Sequence, residues 1–206
     1  MQGLYLVTPN WDDTARLLDL SEQALAAGPG IAMLQYRHKE AAPALREEQA
    51  GALLALCRRY RVPFIVNDHL DLCAQLDADG VHVGGTGTDV AEVRARLGPD
   101  KIVGASCYGD LQLALDAQAA GASYVAFGGF YPSRVKKYAV TTKLELLDHA
   151  RAAIRVPSVA IGGMTPDNAA PLVARGVDMV AAISSVYQAE SVAAAVRRFQ
   201  ALFAKQ

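Results

Sequence analysis

Short apolar, β-branched runs alternate with amphipathic stretches from one end of the chain to the other. Gly3-Leu4-Tyr5-Leu6-Val7-Thr8 comes first and is followed by a helical pattern over 12–27. A strand centred on Ala32-Met33-Leu34 then leads to a helix over 43–60, and a third strand over 63–68 to a short helix ending at Leu76. Strands over 80–85, 102–107 and 124–128 follow, with helices over 89–97, 110–120 and 144–154. Strands over 157–163 and 179–184 close the series, with helices over 166–175 and 191–204.

These are eight strand–helix units spaced about 25 residues apart. Near-continuous apolar strands separated by helices predict a parallel sheet covered on its outer face. Eight units with nothing left over fit a single (β/α)8 barrel domain over 1–206 better than an open doubly wound sheet. The chain is short for such a barrel, so its loops must be lean. Only the connection over 129–143 is long, which marks it as a functional segment.

In a barrel of this kind the reacting groups sit at the C-terminal ends of the strands. Those ends carry Thr8, Gln35/Arg37/Lys39, Asn67/Asp68, Gly84/Gly85, Ser106, Gly128, Gly162/Gly163 and Ser184/Ser185, whereas strand starts read as mostly Gly, Pro and apolar residues. Gln35, Arg37 and Lys39 are two residues apart and share one side of an extended chain. Two cations cannot be left unpaired in a core, so this is either a flared strand end or the mouth of a pocket that holds an anion. Asn67-Asp68 reads as an N-cap for the next helix, or as an oxygen pair for Mg²⁺ when a phosphate supplies further ligands. Gly162-Gly163, with Ser184-Ser185, resembles the backbone cradles that hold phosphate late in barrels. The segment Ser133-Arg134-Val135-Lys136-Lys137-Tyr138 starts at the mouth of the sixth strand, where its cations can fold over the pocket. His38, His69 and His149 have no partner at triad or metal spacing, and His82 reads as a satisfied interior histidine.

Composition narrows the field further. Charges nearly cancel, with 20 basic against 21 acidic residues, which gives no sign of nucleic acid or an anionic membrane as a partner. No apolar run approaches a membrane span, and the N-terminus lacks a signal pattern. Cys57, Cys73 and Cys107 are odd in number and flanked by apolar residues, as buried thiols of a cytoplasmic protein would be.

With these residues in view, the chain resembles the thiamine-phosphate synthase family along nearly its whole length. The resemblance rests on Leu34-Gln35-Tyr36-Arg37-His38-Lys39, Ile65-Val66-Asn67-Asp68-His69 and Ala78-Asp79-Gly80-Val81-His82-Val83-Gly84. It continues through Val103-Gly104-Ala105-Ser106, Phe130-Tyr131-Pro132-Ser133-Arg134-Val135-Lys136-Lys137 and Val159-Ala160-Ile161-Gly162-Gly163. It implies a Mg²⁺-dependent transferase that joins a hydroxymethylpyrimidine diphosphate to a thiazole phosphate and releases pyrophosphate.

By the same resemblance Gln35, Tyr36, Arg37, His38, Lys39, Asn67, Ser106, Arg134 and Lys136 belong to the substrate-binding set, with Arg37, Lys39, Ser106 and Lys136 as its catalytic members. Asp68 would ligate Mg²⁺. Ser133, Val135, Gly163, Ile183 and Ser184 would contact the thiazole phosphate. Small phosphorylated molecules are the implied partners, and homo-oligomerisation stays open. The chain departs from the family at Gly87, where a second acidic metal ligand is usual; Asp89 could substitute, although Asp89-Val90-Ala91-Glu92 also reads as a capping box. A thiazole tautomerase of the related type and a degenerate thiamine-phosphate-binding barrel are the competing expectations.

Overall fold

A computed structural model describes residues 1–84, 89–132 and 142–204. The described residues form β1 (Gly3–Val7), α1 (Thr14–Leu25), β2 (Ile31–Tyr36), α2 (Pro43–Tyr60), β3 (Phe64–Asn67) and α3 (Leu70–Leu76). They continue as β4 (Gly80–Val83), α4 (Val90–Leu97), β5 (Ile102–Tyr108), α5 (Leu111–Ala119), β6 (Tyr124–Gly128) and α6 (Glu145–Ala153). The series ends with β7 (Ser158–Ile161), α7 (Pro166–Ala174), β8 (Met179–Ala182), α8 (Ser184–Tyr187) and α9 (Val192–Phe203). Each strand pairs in parallel with the next, and β8 returns to β1, so the sheet closes into the expected (β/α)8 barrel.

Strand alternation divides the apolar residues between two cores. Leu4, Leu6, Leu34, Tyr36, Phe64 and Val66 point outward and pack beneath the helices. Tyr5, Val7, Met33, Ile65, Tyr124, Ala126, Val159, Met179 and Ala181 fill the lumen. Room for the two tyrosine rings comes from small neighbours: a Cβ on Gly104 would stand 2.0 Å from Tyr124 Cζ. The rings meet edge to face, with centroids 5.7 Å apart, an arrangement that suits the aromatic quadrupole.

The lower rim carries a repeated stitch that the strand-start pattern does not suggest. The residue before each of β4, β6 and β8 is polar, and its side chain accepts a backbone N–H from the preceding strand. Asp79 Oδ2 accepts from Phe64 N at 2.8 Å, Ser123 Oγ from Val103 N at 3.1 Å, and Asp178 Oδ2 from Ser158 N at 2.7 Å. The position before β2 is Gly30, which has no side chain to offer.

Caps account for most helix boundaries. Asp13, Asp110, Thr165 and Ser191 each accept a first-turn N–H with the side chain, which satisfies donors the helix itself cannot. The chain differs from the sequence pattern at α8. Ser184–Tyr187 coils into a helix directly after β8, where the pattern extends the strand to Ser184. Four residues are too few to show a helical period.

Cys57, Cys73 and Cys107 are unpaired and buried. Burial pushes their thiols up to about 12, 11 and 12 respectively, which keeps them protonated and inert. Among the described residues, no helix is long and apolar enough to cross a membrane.

Candidate active site

At the upper rim β2 ends at Tyr36, so Gln35 is a strand residue, whereas Arg37 and Lys39 lie in the segment that follows. The two-residue alternation therefore does not run through all three. Gln35 faces the lumen, and Tyr36 faces the other way, where its hydroxyl donates to Gln49 Oε1 of α2 at 3.0 Å. That places the Tyr36 ring under the helix layer, facing away from the lumen. Thr8 clamps the ends of β1 and β2 together by accepting from Arg37 N at 2.8 Å. His38, also buried, has Nε2 2.9 Å from Asp12 Oδ1. This pairing spans 26 residues and is invisible to local spacing.

Asn67 and Asp68 follow at the end of β3. The N-cap of α3 is His69, which makes no side-chain cap bond, so Asp68 does not cap α3. Its carboxylate instead reaches across to β4, where Oδ1 accepts from Gly84 N at 3.0 Å. Oδ2 accepts from Asn67 Nδ2 at 2.7 Å and lies 3.7 Å from Lys39 Nζ. Asp68 adopts φ 61°, a left-handed conformation that short polar residues such as Asp tolerate. Its side chain is 37% exposed, and a carboxylate offers about four lone-pair sites, so capacity remains on the solvent side. Asp89 is committed elsewhere: it is the N-cap of α4, and Oδ1 accepts from Ala91 N at 2.7 Å. Among the described residues, no three His, Cys, Asp or Glu side chains converge to form a metal cluster.

Ser106 stands on β5 beside a register shift against β6, the kind of bulge that re-aims a side chain. Its Oγ is 2.9 Å from His82 Nε2 on β4. His82 Nδ1 is 2.9 Å from Tyr124 Oη, Tyr124 Oη is 2.7 Å from Tyr5 Oη, and Gln35 Nε2 donates to Tyr5 Oη. A continuous polar chain therefore crosses the lumen from β2 to β5. His82 is the interior histidine the sequence suggests, stacked on Tyr124 with centroids 5.6 Å apart. The Ser–His contact is one that sequence spacing gives no reason to expect.

On the far side, Gly163 takes φ 64° in the turn after β7, and a Cβ there would stand 2.1 Å from Pro132 O. Only glycine fits that combination. Asn168 binds the turn by donating from Nδ2 to Gly163 O at 2.9 Å. Ile183 packs against the lumen core, and Ser184 begins α8. Ser133, Arg134, Val135 and Lys136, together with position 87, lie outside the described residues.

The barrel and its mouth can be set beside known proteins. The family model described as thiamine monophosphate synthase matches residues 4–186. The chain belongs to the thiamine monophosphate synthase family. Among similar members, a thiamine-phosphate synthase of Janthinobacterium sp. (strain Marseille) is 65% identical over 205 residues, covering 100% of this chain and 98% of that one. A thiamine-phosphate synthase of Methylobacillus flagellatus is 49% identical, covering 98% of this chain and 96% of that one. Among solved structures, a thiamine phosphate pyrophosphorylase from Pyrococcus furiosus superposes with a TM-score of 0.84 at 31% identity, covering 99% of this chain and 96% of that one. For this family, the polar residues at the upper rim are the natural place to look for substrate chemistry.

Proposed function

We propose that this chain is a thiamine-phosphate synthase, a transferase that joins 4-amino-2-methyl-5-hydroxymethylpyrimidine diphosphate to 4-methyl-5-(2-phosphooxyethyl)thiazole. The products are thiamine phosphate and pyrophosphate. The observation that carries the reading is the 65% identity to a synthase over the whole chain. Gln35, Asn67 and Ser106, from three different strands, and Asp68, just after β3, support it by their positions toward the same rim.

The chemistry asks little of a protein beyond charge and alignment. Loss of pyrophosphate from the methylene leaves a cation that the electron-rich aminopyrimidine stabilises. The thiazole nitrogen that captures it carries no proton, so no general base is required. Arg37, Lys39 and Lys136 hold the diphosphate and offset the charge that builds on it as it departs. Gln35 and Asn67 fix the pyrimidine, and Ser106 donates to the reacting end of that substrate. Ser133, Val135, Gly163, Ile183 and Ser184 position the thiazole phosphate so that the two partners meet at short range.

Asp68 suits Mg²⁺ as a lone carboxylate at an open mouth, since this ion keeps waters and takes phosphate oxygens to complete its octahedron. When bound, the ion neutralises the diphosphate. The Asp68 carboxylate would hold the ion at the mouth of the barrel. Three buried, unpaired cysteines support a cytosolic setting.

The test is a product assay with both substrates and Mg²⁺. Thiamine phosphate and pyrophosphate appearing in equal amounts is the expected result. No condensation, or isomerisation of the thiazole without it, would overturn the reading.

A further inference from the structure

We propose that Tyr5, Tyr124 and His82 form a one-way hydrogen-bond relay through the barrel lumen, which sets Gln35 to accept and Ser106 to donate at the reaction site. They are positioning residues: in this arrangement they act through Gln35 and Ser106. The proposal rests on the synthase reading for its substrate and on the lumen geometry for everything else.

The direction follows from counting protons. Gln35 Nε2 donates one of its two hydrogens to Tyr5 Oη, which fixes the plane of the amide and leaves its oxygen able to accept from a ligand. Tyr5 is 1% exposed, and its single hydroxyl proton is satisfied by Tyr124 Oη at 2.7 Å. The proton of Tyr124 then lies toward His82 Nδ1 at 2.9 Å, so that nitrogen must bring a lone pair. A neutral imidazole with a bare Nδ1 carries its hydrogen on Nε2, which points at Ser106 Oγ, 2.9 Å away. The hydrogen of Ser106 is left to turn toward the mouth. Burial raises both phenols above their ordinary range, so each stays protonated and remains a donor.

This order rules out a role for the Ser106–His82 contact as a nucleophile–base pair. A base must offer Ser106 a lone pair, and here the facing nitrogen holds the hydrogen. The partner of Nδ1 is a phenol rather than a carboxylate, so this hydrogen bond brings no negative charge to stabilise an imidazolium.

The relay fits the charge separation of the reaction. As pyrophosphate leaves, the exocyclic amine of the pyrimidine becomes electron-poor and a stronger donor, while the departing oxygen becomes a stronger acceptor. An amide oxygen at one end and a hydroxyl hydrogen at the other face those two changes with the correct sign. Hydrogen bonds in a chain polarise one another, so the relay strengthens as the substrate ionises. Such differential stabilisation raises turnover.

The first test needs no variant kinetics. In protein labelled with ¹⁵N-histidine, long-range ¹H–¹⁵N correlation near neutral pH reports the tautomer of each ring, and loss of signals in His82→Gln identifies His82. A hydrogen on Nε2 with bare Nδ1 is expected; a hydrogen on Nδ1, or on both nitrogens, overturns the relay. The second test is Tyr124→Phe, which keeps the ring and cuts the chain at its middle. It should lower kcat about tenfold, with KM for the thiazole phosphate changed less than about twofold. Added to Ser106→Ala it should cost nothing further, because both changes remove the same donor; independent, multiplying losses would overturn the proposal. Should Tyr124→Phe fail to fold, the tautomer of the unaltered protein still decides. An inactive protein with the Nε2–H tautomer would refute the synthase reading alone, whereas an active enzyme with the Nδ1–H tautomer would refute the relay alone.

Discussion

Asp178 and Asp68 show how differently the two rims use one functional group. At the lower rim the Asp178 carboxylate accepts from Ser158 N at 2.7 Å and from Ser158 Oγ at 3.0 Å. Both donors belong to the neighbouring strand, and the carboxylate serves to hold β7 against β8. At the upper rim Asp68 also takes a backbone N–H from its neighbour, Gly84. The likeness ends there. Its second oxygen lies near Lys39 and is partly open to solvent, and its backbone sits in a conformation that most residues avoid. A polar residue at a strand end is therefore no sign of chemistry in itself. Unused hydrogen-bonding capacity beside a cation and the strained backbone separate the two acids.

The largest effect that could break this comparison is expected from Asp68→Asn. Asparagine tolerates the left-handed backbone and can still accept from Gly84, so the charge and the acceptor for Asn67 Nδ2 are what is lost. Synthase kcat/KM should fall about a hundredfold, near 2.7 kcal/mol of transition-state stabilisation, with little change in melting temperature. Undiminished turnover, with Mg²⁺ titrated against initial rate, would reduce Asp68 to another stitch. Lys39→Ala should follow at about tenfold in kcat/KM. Its ion pair with Asp68 is half-exposed and contributes about 0–1 kcal/mol to stability, so a thermal melt should not move while the rate does.

Asp178→Ala should give the opposite signature. Leaving a part-buried N–H and a hydroxyl without their acceptor costs about 1 kcal/mol or somewhat more, which lowers Tm by a few degrees in a chain of this size. Well below that temperature kcat should match the unaltered enzyme, and a large loss of kcat there would mean that the rims are not separable. The smallest effect concerns Asp77, also at the lower rim. The hydrogen bond and charge of Lys101 hold its exposed carboxyl below the usual carboxylate range. Its contribution to stability is thus present above that range and fades as pH falls through the lowered value. A small gap in Tm between the native chain and Asp77→Asn should close on acidification, and a gap that widens would assign the pair no role.

Much of this was legible in the sequence, for reasons that can be named. The pattern of eight apolar runs and the 3.6-residue periods yields every strand, and α2 falls at 43–60 as expected, because its proline start and apolar stripe are local signals. Gln35, Asn67, Asp68 and Ser106 are found because they interrupt apolar strands at one end. The lumen relay is not legible. Tyr5 and Tyr124 are 119 residues apart, and only closure of the barrel brings them together. Tyr36 shows the converse: motif membership names a stretch of chain, whereas strand alternation decides which side chains face the lumen. The stitches escape because Asp and Ser before a strand look like ordinary turn residues.

Those stitches also bear on the order in which the barrel assembles. Each joins strands whose linked residues are only 15 or 20 positions apart, so β3–β4, β5–β6 and β7–β8 can pair early, at little cost in loop closure. The seam between β1 and β8 joins the two ends of the sheet and must wait for the rest. Weakening a stitch should then slow folding, while weakening the seam should mainly hasten unfolding. Gly30, the one even-strand start without a side chain to offer, leaves β1–β2 unstitched beside that seam, and the first turn of the barrel becomes the last to be secured.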